Sequence, residues 1–280
     1  MKVIGLAGNP NTGKTTVFNL LTGSNQYVGN WPGVTVEKKE GFFELNGEKI
    51  KVVDLPGVYS LYAYSIDEKI ARNFIVNENP DCVVVIVDAS NLERNLYLVL
   101  QLLALGKRVV VALNMMDIAD ERGIEIDHET LSKILGVKFV PMVASRGEGV
   151  EELKMAIKEA MDGKTSSFRS DYGKLEPYVE KLEKLIPETP FPPRFVAVKI
   201  LEGDPEFMKK AKAEEVESVI EEAKKEIDEP ESYVTERRYA FIHGLVRECT
   251  RKEPGIEEKL NITDMLDRVL THPLLGIPLF

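Results

Sequence analysis

Cysteine and histidine are scarce in this chain of 280 residues, which contains two of the first and three of the second. Cys82 lies in an apolar run and Cys249 in a helical stretch, so neither a disulfide framework nor a cysteine-based zinc site is expected. The histidines His128, His243 and His272 lack the spacing of metal ligands. This composition fits a reducing compartment and predicts no transition-metal site built from these residue types.

Long apolar runs and an excess of positive charge are also missing. No uninterrupted apolar run reaches the roughly 18 residues that a membrane-spanning helix requires, and the N-terminus shows no secretory-signal pattern. Lysine and arginine number 36 against 46 aspartates and glutamates, which gives a net charge of −10. Because a broad nucleic-acid surface needs clustered positive charge, this balance argues against nucleic acid as a partner. A hydrophobic content of 44% is enough to fill a substantial core.

The most informative feature that is present is a phosphate-binding loop, which follows an apolar strand and opens a helix. Its pattern, G-x-x-x-x-G-K-S/T, is matched at every fixed position. The two glycines let successive backbone N–H groups surround a phosphate, Lys14 brings charge to the β- and γ-phosphates, and the hydroxyl of Thr15 is placed to bind Mg²⁺. The chain is therefore predicted to hold a nucleotide. The nucleotide-binding residues predicted here are Gly8, Asn9, Pro10, Asn11, Thr12, Gly13, Lys14, Thr15 and Thr16.

Two further segments have the positions of groups that close over the γ-phosphate. Asp54 follows a predicted strand, where its carboxylate would hold Mg²⁺ through water, and Gly57 would offer a backbone N–H to the γ-phosphate. Thr35 lies between the first helix and a predicted hairpin, where a mobile segment adds a hydroxyl to the Mg²⁺ shell. A threonine that merely starts a strand is the alternative, but the neighbouring motifs favour the switch role. The predicted contacts of these segments also include Gly33, Val34, Leu55 and Pro56.

A polar motif at the end of the predicted strand over residues 109–113 indicates which base is bound. The carboxylate of Asp117 would accept two hydrogen bonds from the N1–H and N2–H₂ edge of guanine, which adenine cannot supply. Asn114 opens this motif, and Met115 stands where a lysine is more usual, so its thioether would pack on the base and binding would be looser. A second loop, which departs from the usual Ser-Ala start, is predicted to meet the guanine O6 through backbone N–H groups of Val143, Ala144 and Ser145.

One expected residue is absent. Val58 follows Gly57, where Ras carries the glutamine that orients the attacking water, and an apolar side chain cannot do so. Either hydrolysis is very slow or another group supplies the missing stabilisation. Asn11 is a candidate, because an amide oxygen beside the β- and γ-phosphates can hold a monovalent cation in place of an arginine finger. A loop asparagine favoured for its backbone angles is an equal alternative. The predicted catalytic groups are Asn11, Lys14, Thr35 and Gly57, and the predicted Mg²⁺ ligands are Thr15, Thr35 and Asp54.

Strand-like apolar runs alternate with amphipathic helical stretches over residues 1–163. Predicted strands cover residues 83–87, 109–113 and 139–142, with helices over residues 92–105 and 131–135. This alternation predicts a mostly parallel sheet with helices on both faces. Asn46 and Gly47 form the strongest short signal for a type I′ turn and predict two antiparallel strands. An α/β sheet with one such antiparallel edge strand is the fold of a Ras-like P-loop GTPase.

The chain changes character after residue 163. Residues 164–170 are small and polar and predict a linker. Residues 175–185, 204–227 and 230–252 combine one charged face with apolar residues three and four apart, so a small all-α domain is expected over residues 171–261. Its glutamate and lysine runs are interpreted as solvated helix faces. Residues 262–280 form a separate juxtamembrane segment in this interpretation.

These motifs together give the sequence a specific resemblance. Residues 8–16, 28–35, 54–61 and 114–117, with 63–68, 71–72 and 267–280, are similar to the N-terminal cytosolic part of ferrous iron transport protein B. The resemblance implies a GTPase domain followed by a helical domain like a guanine-nucleotide dissociation inhibitor, both preceding a membrane region that moves Fe²⁺. It also implies stimulation by K⁺, held by Asn11 and by backbone carbonyls of the switch I segment.

The resemblance implies partners and a location as well. The ligands would be GTP and GDP, the partner would be the membrane permease region of the same full-length chain, and a homo-oligomer is left open. Residues 274–280 are apolar but too short to span a bilayer, so we expect them to lie just before a first membrane helix, on the cytoplasmic side of an inner or plasma membrane. A natural tail packed on the helical domain is the alternative.

Two other classes of function remain open at this point. A soluble potassium-dependent GTPase of RNA or ribosome maturation would share these motifs, although RNA contact calls for a basic surface. A nucleotide-sensing adaptor without useful turnover would share them too. The favoured hypothesis is a slow GTPase that regulates a membrane Fe²⁺ transporter, and GTP turnover in potassium against sodium would separate it from the adaptor.

Overall fold

A computed structural model describes residues 1–62, 65–208 and 213–252. The strands in these ranges are β1 (Lys2–Gly8), β2 (Gln26–Asn30), β3 (Glu37–Leu45), β4 (Glu48–Asp54), β5 (Cys82–Asp88), β6 (Val109–Asn114), β7 (Ile124–Ile126), β8 (Lys138–Pro141) and β9 (Thr250–Lys252). The helices are α1 (Lys14–Thr22), α2 (Ile66–Asn73), α3 (Leu92–Ala104), α4 (Met116–Glu121), α5 (His128–Leu135), α6 (Val150–Asp162), α7 (Glu176–Leu185), α8 (Pro193–Leu201), α9 (Pro205–Met208), α10 (Ala213–Glu226) and α11 (Pro230–Cys249). The expectations for residues 253–261 and 262–280 lie outside the described residues.

Seven strands form one mixed sheet in the order β2-β3-β4-β1-β5-β6-β8. Strands β4, β1, β5, β6 and β8 run parallel, so their carboxyl ends share one edge, which is where open α/β sheets bind ligands. Strand β3 pairs antiparallel with β4, and β2 pairs antiparallel with β3. The predicted mixed α/β fold is confirmed. Its antiparallel edge is two strands wide rather than one, because residues before Trp31 add a further, mostly exposed strand.

The predicted hairpin turn is present. Leu45 and Glu48 face each other in the register of β3 and β4, so the connection has two residues. Asn46 and Gly47 have φ values of 52° and 79°, the left-handed conformations that a type I′ turn requires.

Apolar cores cover both faces of the sheet. On one face, Phe18 of α1 and Ile157 of α6 are fully buried against Ile4 and Val84. On the other face the core runs without a break from β5 and α3 into the helices that follow residue 171. Each fully buried large side chain contributes about 1.5–3 kcal/mol to folding. The helical region therefore shares a core with the sheet domain, and its expected boundaries at residues 163, 170 and 261 stay predictions.

The helical region differs in detail from the sequence-based expectation. Helix α8 was not predicted, and the single helix expected over residues 204–227 is represented by α9 and α10, with residues 209–212 outside the description. The helix expected over residues 230–252 ends at Cys249, and the last three residues are strand β9, paired antiparallel with β7. Thr250 has extended angles, φ −124° and ψ 143°. In the part of the chain that is described, no helix has the length and apolar character to cross a membrane.

Candidate nucleotide-binding site

The phosphate-binding loop connects β1 to α1 and depends on its two glycines. A Cβ at Gly8 would lie 2.7 Å from the carbonyl oxygen of Ile86, and one at Gly13 would lie 2.3 Å from the side-chain Nδ2 of Asn114. Gly13 also has a φ of +86°, which a side chain would disfavour. The hydroxyl of Thr12 is buried and donates to the carbonyl of Asn9 at 2.9 Å. The loop thus packs closely against β5 and against Asn114, which opens the predicted guanine-reading motif.

Lys14 and Thr15 begin α1 beside the end of β4. The ammonium of Lys14 forms an ion pair with the carboxylate of Asp54. Burial raises the pKa of Asp54, and the charge of Lys14 offsets only part of that effect. Thr15 is exposed at the helix start. A hydroxyl and a carboxylate are hard oxygen donors, the type that Mg²⁺ takes together with phosphate oxygens, so Thr15 and Asp54 fit that ion.

The segment after Asp54 is laid along the phosphate-binding loop. The Val58 N–H donates to the carbonyl of Gly8 at 3.1 Å. Gly57 lies against Pro10, since a Cβ there would be 3.4 Å from the Pro10 Cα. The side chain of Val58 is only 3% exposed and packs in the core. Val58, which stands where Ras has a glutamine, therefore contributes its side chain to the core.

Thr35 lies in the connection between β2 and β3. That connection is closed by a hydrogen bond from the Trp31 N–H to the carbonyl of Val36, 2.9 Å long. Trp31 is buried and packs edge-on against Phe74, with ring centroids 5.9 Å apart. Thr35 itself is exposed. Its role in the Mg²⁺ shell stays a prediction.

Asn11 adopts a left-handed backbone conformation, with φ +66°. Asparagine tolerates this region better than most residues, so the backbone alone accounts for its presence. The residue is exposed. The cation-binding role remains a prediction beside this structural one.

Asn114 ties three segments of the site together. Its side chain is buried, its Nδ2 donates to the carbonyl of Thr12 at 2.9 Å, and its Oδ1 accepts from the Ala144 N–H at 2.9 Å. Met115, which follows, has a φ of +63° and precedes α4. Its Cε would be 3.9 Å from a Cβ placed on Gly13, so the thioether reaches the phosphate-binding loop.

Asp117 stands in the first turn of α4, and its side chain is partly exposed. Its Oδ1 accepts from the Ile118 N–H at 3.0 Å, and its Oδ2 lies 3.6 Å from Nη2 of Arg146. Arg146 was not among the predicted site residues, although it directly follows the second guanine loop in sequence. Its guanidinium carries planar N–H donors like those on the guanine edge that the carboxylate is predicted to read.

The second guanine loop has most of its backbone donors engaged. The Val143 N–H donates to Glu148 at 3.2 Å and the Arg146 N–H donates to Val143 at 2.9 Å, while the Ala144 N–H is held by Asn114. Within the described chain no hydrogen bond engages the Ser145 N–H. Of the three residues predicted to meet guanine O6, Ser145 is therefore the one whose donor is available.

A buried polar cluster joins the sheet domain to the helical region behind the segment that follows Asp54. The Tyr62 hydroxyl donates to the carboxylate of Glu202 at 2.7 Å and lies 2.8 Å from the Tyr97 hydroxyl. Arg238 donates to Tyr62 at 2.6 Å and also pairs with Glu202. The Lys199 ammonium lies 2.9 Å from Glu202 and 3.2 Å from the Tyr62 ring centroid. Sequence reasoning missed this cluster, because its members are far apart in the chain and form no motif.

The charges in this cluster shift one another's pKa values. Burial lowers the pKa of Lys199 to about 8, against the pull of Glu202. Burial alone would raise the pKa of Glu202, but the charges of Arg238 and Lys199 bring it below its ordinary value. Burial raises the pKa of Tyr62 well above its ordinary value. Two cations thus face one carboxylate, and all three side chains are almost fully buried.

A second contact reaches the helical region from α2. Arg72 is 4% exposed, pairs with Glu206 of α9 and lies over the ring of Phe207 at 5.7 Å. Within the described residues, its Nε and Nη1 find no hydrogen-bond partner. Together with the Tyr62 cluster, this contact connects the segment from Tyr62 to α2 with the helical region.

Comparison with known proteins now decides the family. Residues 2–157 match the family described as ferrous iron transport protein B, and residues 172–251 match its cytosolic helical domain. The chain belongs to the ferrous iron transport protein B family. It is 51% identical over 286 residues to the Fe(2+) transporter FeoB of Methanocaldococcus jannaschii, which covers 98% of this chain and 42% of the relative. The FeoB of Escherichia coli K12 is 41% identical, covering 99% of this chain and 37% of the relative. The chain thus spans about two fifths of the length of these relatives.

Solved FeoB structures share the fold. A GDP-bound mutant of the S. thermophilus FeoB G-domain has a TM-score of 0.83 and 37% identity, covering 90% of this chain and 100% of the other. The cytosolic domain of T. maritima FeoB in its GMPPNP form has a TM-score of 0.80 and 39% identity, with the same coverage. The expected GTPase fold followed by a helical domain is confirmed as that of the FeoB family. The roles of the individual site residues stay predictions.

Proposed function

We propose that this chain is the GTP-binding, regulatory part of a membrane Fe²⁺ transporter and that it hydrolyses GTP slowly. One observation carries the proposal: Asn114 donates to the phosphate-binding loop and accepts from the loop predicted to meet guanine O6, and Asp117 follows it by three residues. Phosphate-binding and base-reading elements are thereby held in one rigid arrangement. A carboxylate in that position selects guanine over adenine, because only guanine offers two N–H donors on that edge.

The proposed chemistry divides among the chain's own groups. Loop N–H groups and Lys14 bind the β- and γ-phosphates, and Thr15 with Asp54 would hold Mg²⁺, which neutralises charge on the phosphates when bound. Thr35 would close over the nucleotide, and Gly57 would donate its N–H to the γ-phosphate. The apolar side chain of Val58 cannot orient the attacking water, so turnover is expected to be slow.

The proposal assigns the missing stabilisation to K⁺ bound by Asn11. The amide oxygen lies in the phosphate-binding loop on an exposed side chain, so a cation can reach it from solvent. A monovalent cation there would offset charge that develops between the β- and γ-phosphates, as an arginine finger does elsewhere. A larger, weakly hydrated ion such as K⁺ is the expected occupant on grounds of family resemblance.

The proposed partner is the membrane permease region of the same full-length chain, with this part on the cytoplasmic side. Support comes from the names of the longer relatives and from the description of the matched helical domain as cytosolic. In this proposal, a nucleotide-dependent movement of the segment after Asp54 reaches the helices through the hydrogen bonds of Tyr62 to Glu202 and Arg238. A homo-oligomer is compatible with this proposal.

GTP turnover with added K⁺, with Na⁺ and with neither tests this proposal. We expect a slow basal rate, stimulation by K⁺ alone, and no turnover of ATP. Asn11→Ala should abolish the stimulation while nucleotide binding persists, and Asn19→Ala, at an exposed position of α1, is the matched control. Stimulation retained in Asn11→Ala would place the cation elsewhere, and equal use of ATP and GTP would refute the guanine assignment.

A further inference from the structure

The last described strand of the helical region pairs with a strand that directly follows the guanine-reading helix. Strand β9 aligns antiparallel with β7, with Glu125 opposite Arg251 and Ile126 opposite Thr250. The pairing is extended by a hydrogen bond from the Asp127 N–H to the carbonyl of Cys249, 2.8 Å long. A segment more than 120 residues away in sequence is thus joined to the guanine-reading part of the chain.

Helix α4, which carries Asp117, is short and packs against residues 89–91 and against β7. It has six residues, about 9 Å, and only Ala119 is fully buried. Helices this short are not stable by themselves, so their position depends on what holds their ends. The N-terminal end is held by the Met116 N–H, which donates to the carbonyl of Met142 at 3.2 Å.

The C-terminal end of α4 is held by the strand pair. The helix ends at Glu121, and β7 begins at Ile124 after a tight turn in which the Gly123 N–H donates to Asp120 at 2.9 Å. Ile124 and Ile126 face the core, whereas Glu125 points to solvent on the other side of β7. The strand pair therefore holds this end of the helix, in addition to the packing of α4 against residues 89–91.

We propose that the β7/β9 pair positions α4 for guanine recognition, with Glu125 and Arg251 as positioning residues that act through Asp117. This inference rests on the proposed function. Because coupling between two sites is reciprocal, the end of the helical region and the bound base influence each other through this pair. Guanine recognition then depends on the junction of the two domains as well as on the motif itself.

Glu125 and Arg251 make the proposal testable without altering the base site. Both are exposed and carry opposite charges at directly facing positions of the two strands. Facing charges of opposite sign stabilise antiparallel strands and facing like charges destabilise them, each by an amount equivalent to about two- to fivefold in an equilibrium constant. Arg251→Glu should loosen the pair, and the exchange Glu125→Arg with Arg251→Glu should restore it.

The experiment measures the dissociation constants of GDP and of inosine diphosphate, which lacks the N2 amine, by displacement of a fluorescent guanine nucleotide. We expect Arg251→Glu to reduce the preference for GDP over inosine diphosphate about two- to fivefold, and the charge exchange to return it to the unmodified value. Lys181→Glu is the matched control. It breaks the exposed, 2.6 Å ion pair between Lys181 and Glu222, which lies far from the base, and it should leave the preference unchanged.

The outcomes separate the alternatives. An unchanged preference in Arg251→Glu would overturn the proposal. Equal weakening of both nucleotides, or a reduced preference that the charge exchange does not restore, would overturn it too, because either result indicates general destabilisation. If the unmodified chain bound no GDP at all, the proposed function itself would be refuted.

Discussion

Replacing Lys199 by methionine tests how the junction between the two domains balances its charge. Lys199 is 1% exposed and shares the carboxylate of Glu202 with Arg238, so the buried cluster has one positive charge in excess. Methionine has a similar length and no charge. In Lys199→Met, Glu202 keeps Arg238 and the Tyr62 hydroxyl as partners, so no buried charge is left alone.

The expected magnitude follows from the pKa of Lys199. Burial lowers it to about 8 from its ordinary value of 10.5. This gap corresponds to about 3 kcal/mol, by which the charged form is disfavoured in the folded state. Below pH 8 both folded and unfolded states keep the proton, so the full cost is present. Between pH 8 and 10.5 the unfolded state binds more protons, so stability rises with pH.

Thermal unfolding of the two proteins from pH 7 to 10 checks this reasoning. At pH 7 we expect Lys199→Met to unfold about 5–10 °C higher than the unmodified chain, as about 3 kcal/mol implies for a protein of this size. The difference should shrink as the pH rises from 8 to 10. Lys181→Met, at an exposed lysine of α7, should show a difference that does not change with pH. A gap for Lys199→Met that is constant with pH, or lower stability at pH 7, would refute the argument.

Two predictions concern the base site. Asp117→Asn should weaken GTP binding and admit xanthine nucleotides, because the carboxylate is matched to the N1–H and N2–H₂ donors; an unchanged base preference in competition binding would remove that assignment. Asn114→Ala removes two hydrogen bonds, 2.9 Å each, and should lower GDP affinity about 10- to 100-fold. A similar loss in Asn95→Ala, also buried but on α3, would show that the effect is general destabilisation instead.

The sequence predicts best where a local pattern determines the conformation. The phosphate-binding loop needs glycine at two close approaches, and Asn46-Gly47 needs left-handed angles at both residues, so the residue types alone indicate the structure. Buried parallel strands such as β5 are continuous apolar runs, which are easily recognised in the sequence. These features depend on local backbone sterics and on burial, and both restrict which residue types can occupy a given position.

The features that escaped prediction depend on distant partners. Strands β7 and β9 have three residues each and become strands only by pairing with each other. Nothing in the sequence around Glu202 and Arg238 distinguishes them from exposed charges, yet their side chains are only 5% exposed. Charged residues are buried only when paired, and the pair forms here because α8 and α11 pack together over Tyr62.

Two features of the proposed base site were not expected from the residue types alone. Met115 holds a left-handed conformation, φ +63°, which costs of order 1–3 kcal/mol for a side chain of this kind and persists only where the surroundings enforce it. Arg146 offers Asp117 a guanidinium 3.6 Å away, so an incoming guanine competes with a donor already in place. The first feature is strain in the motif and the second is competition for its carboxylate. On the proposed function, this competition weakens contacts to the base and leaves the phosphate contacts predicted for Lys14 in place, so fast nucleotide exchange is expected.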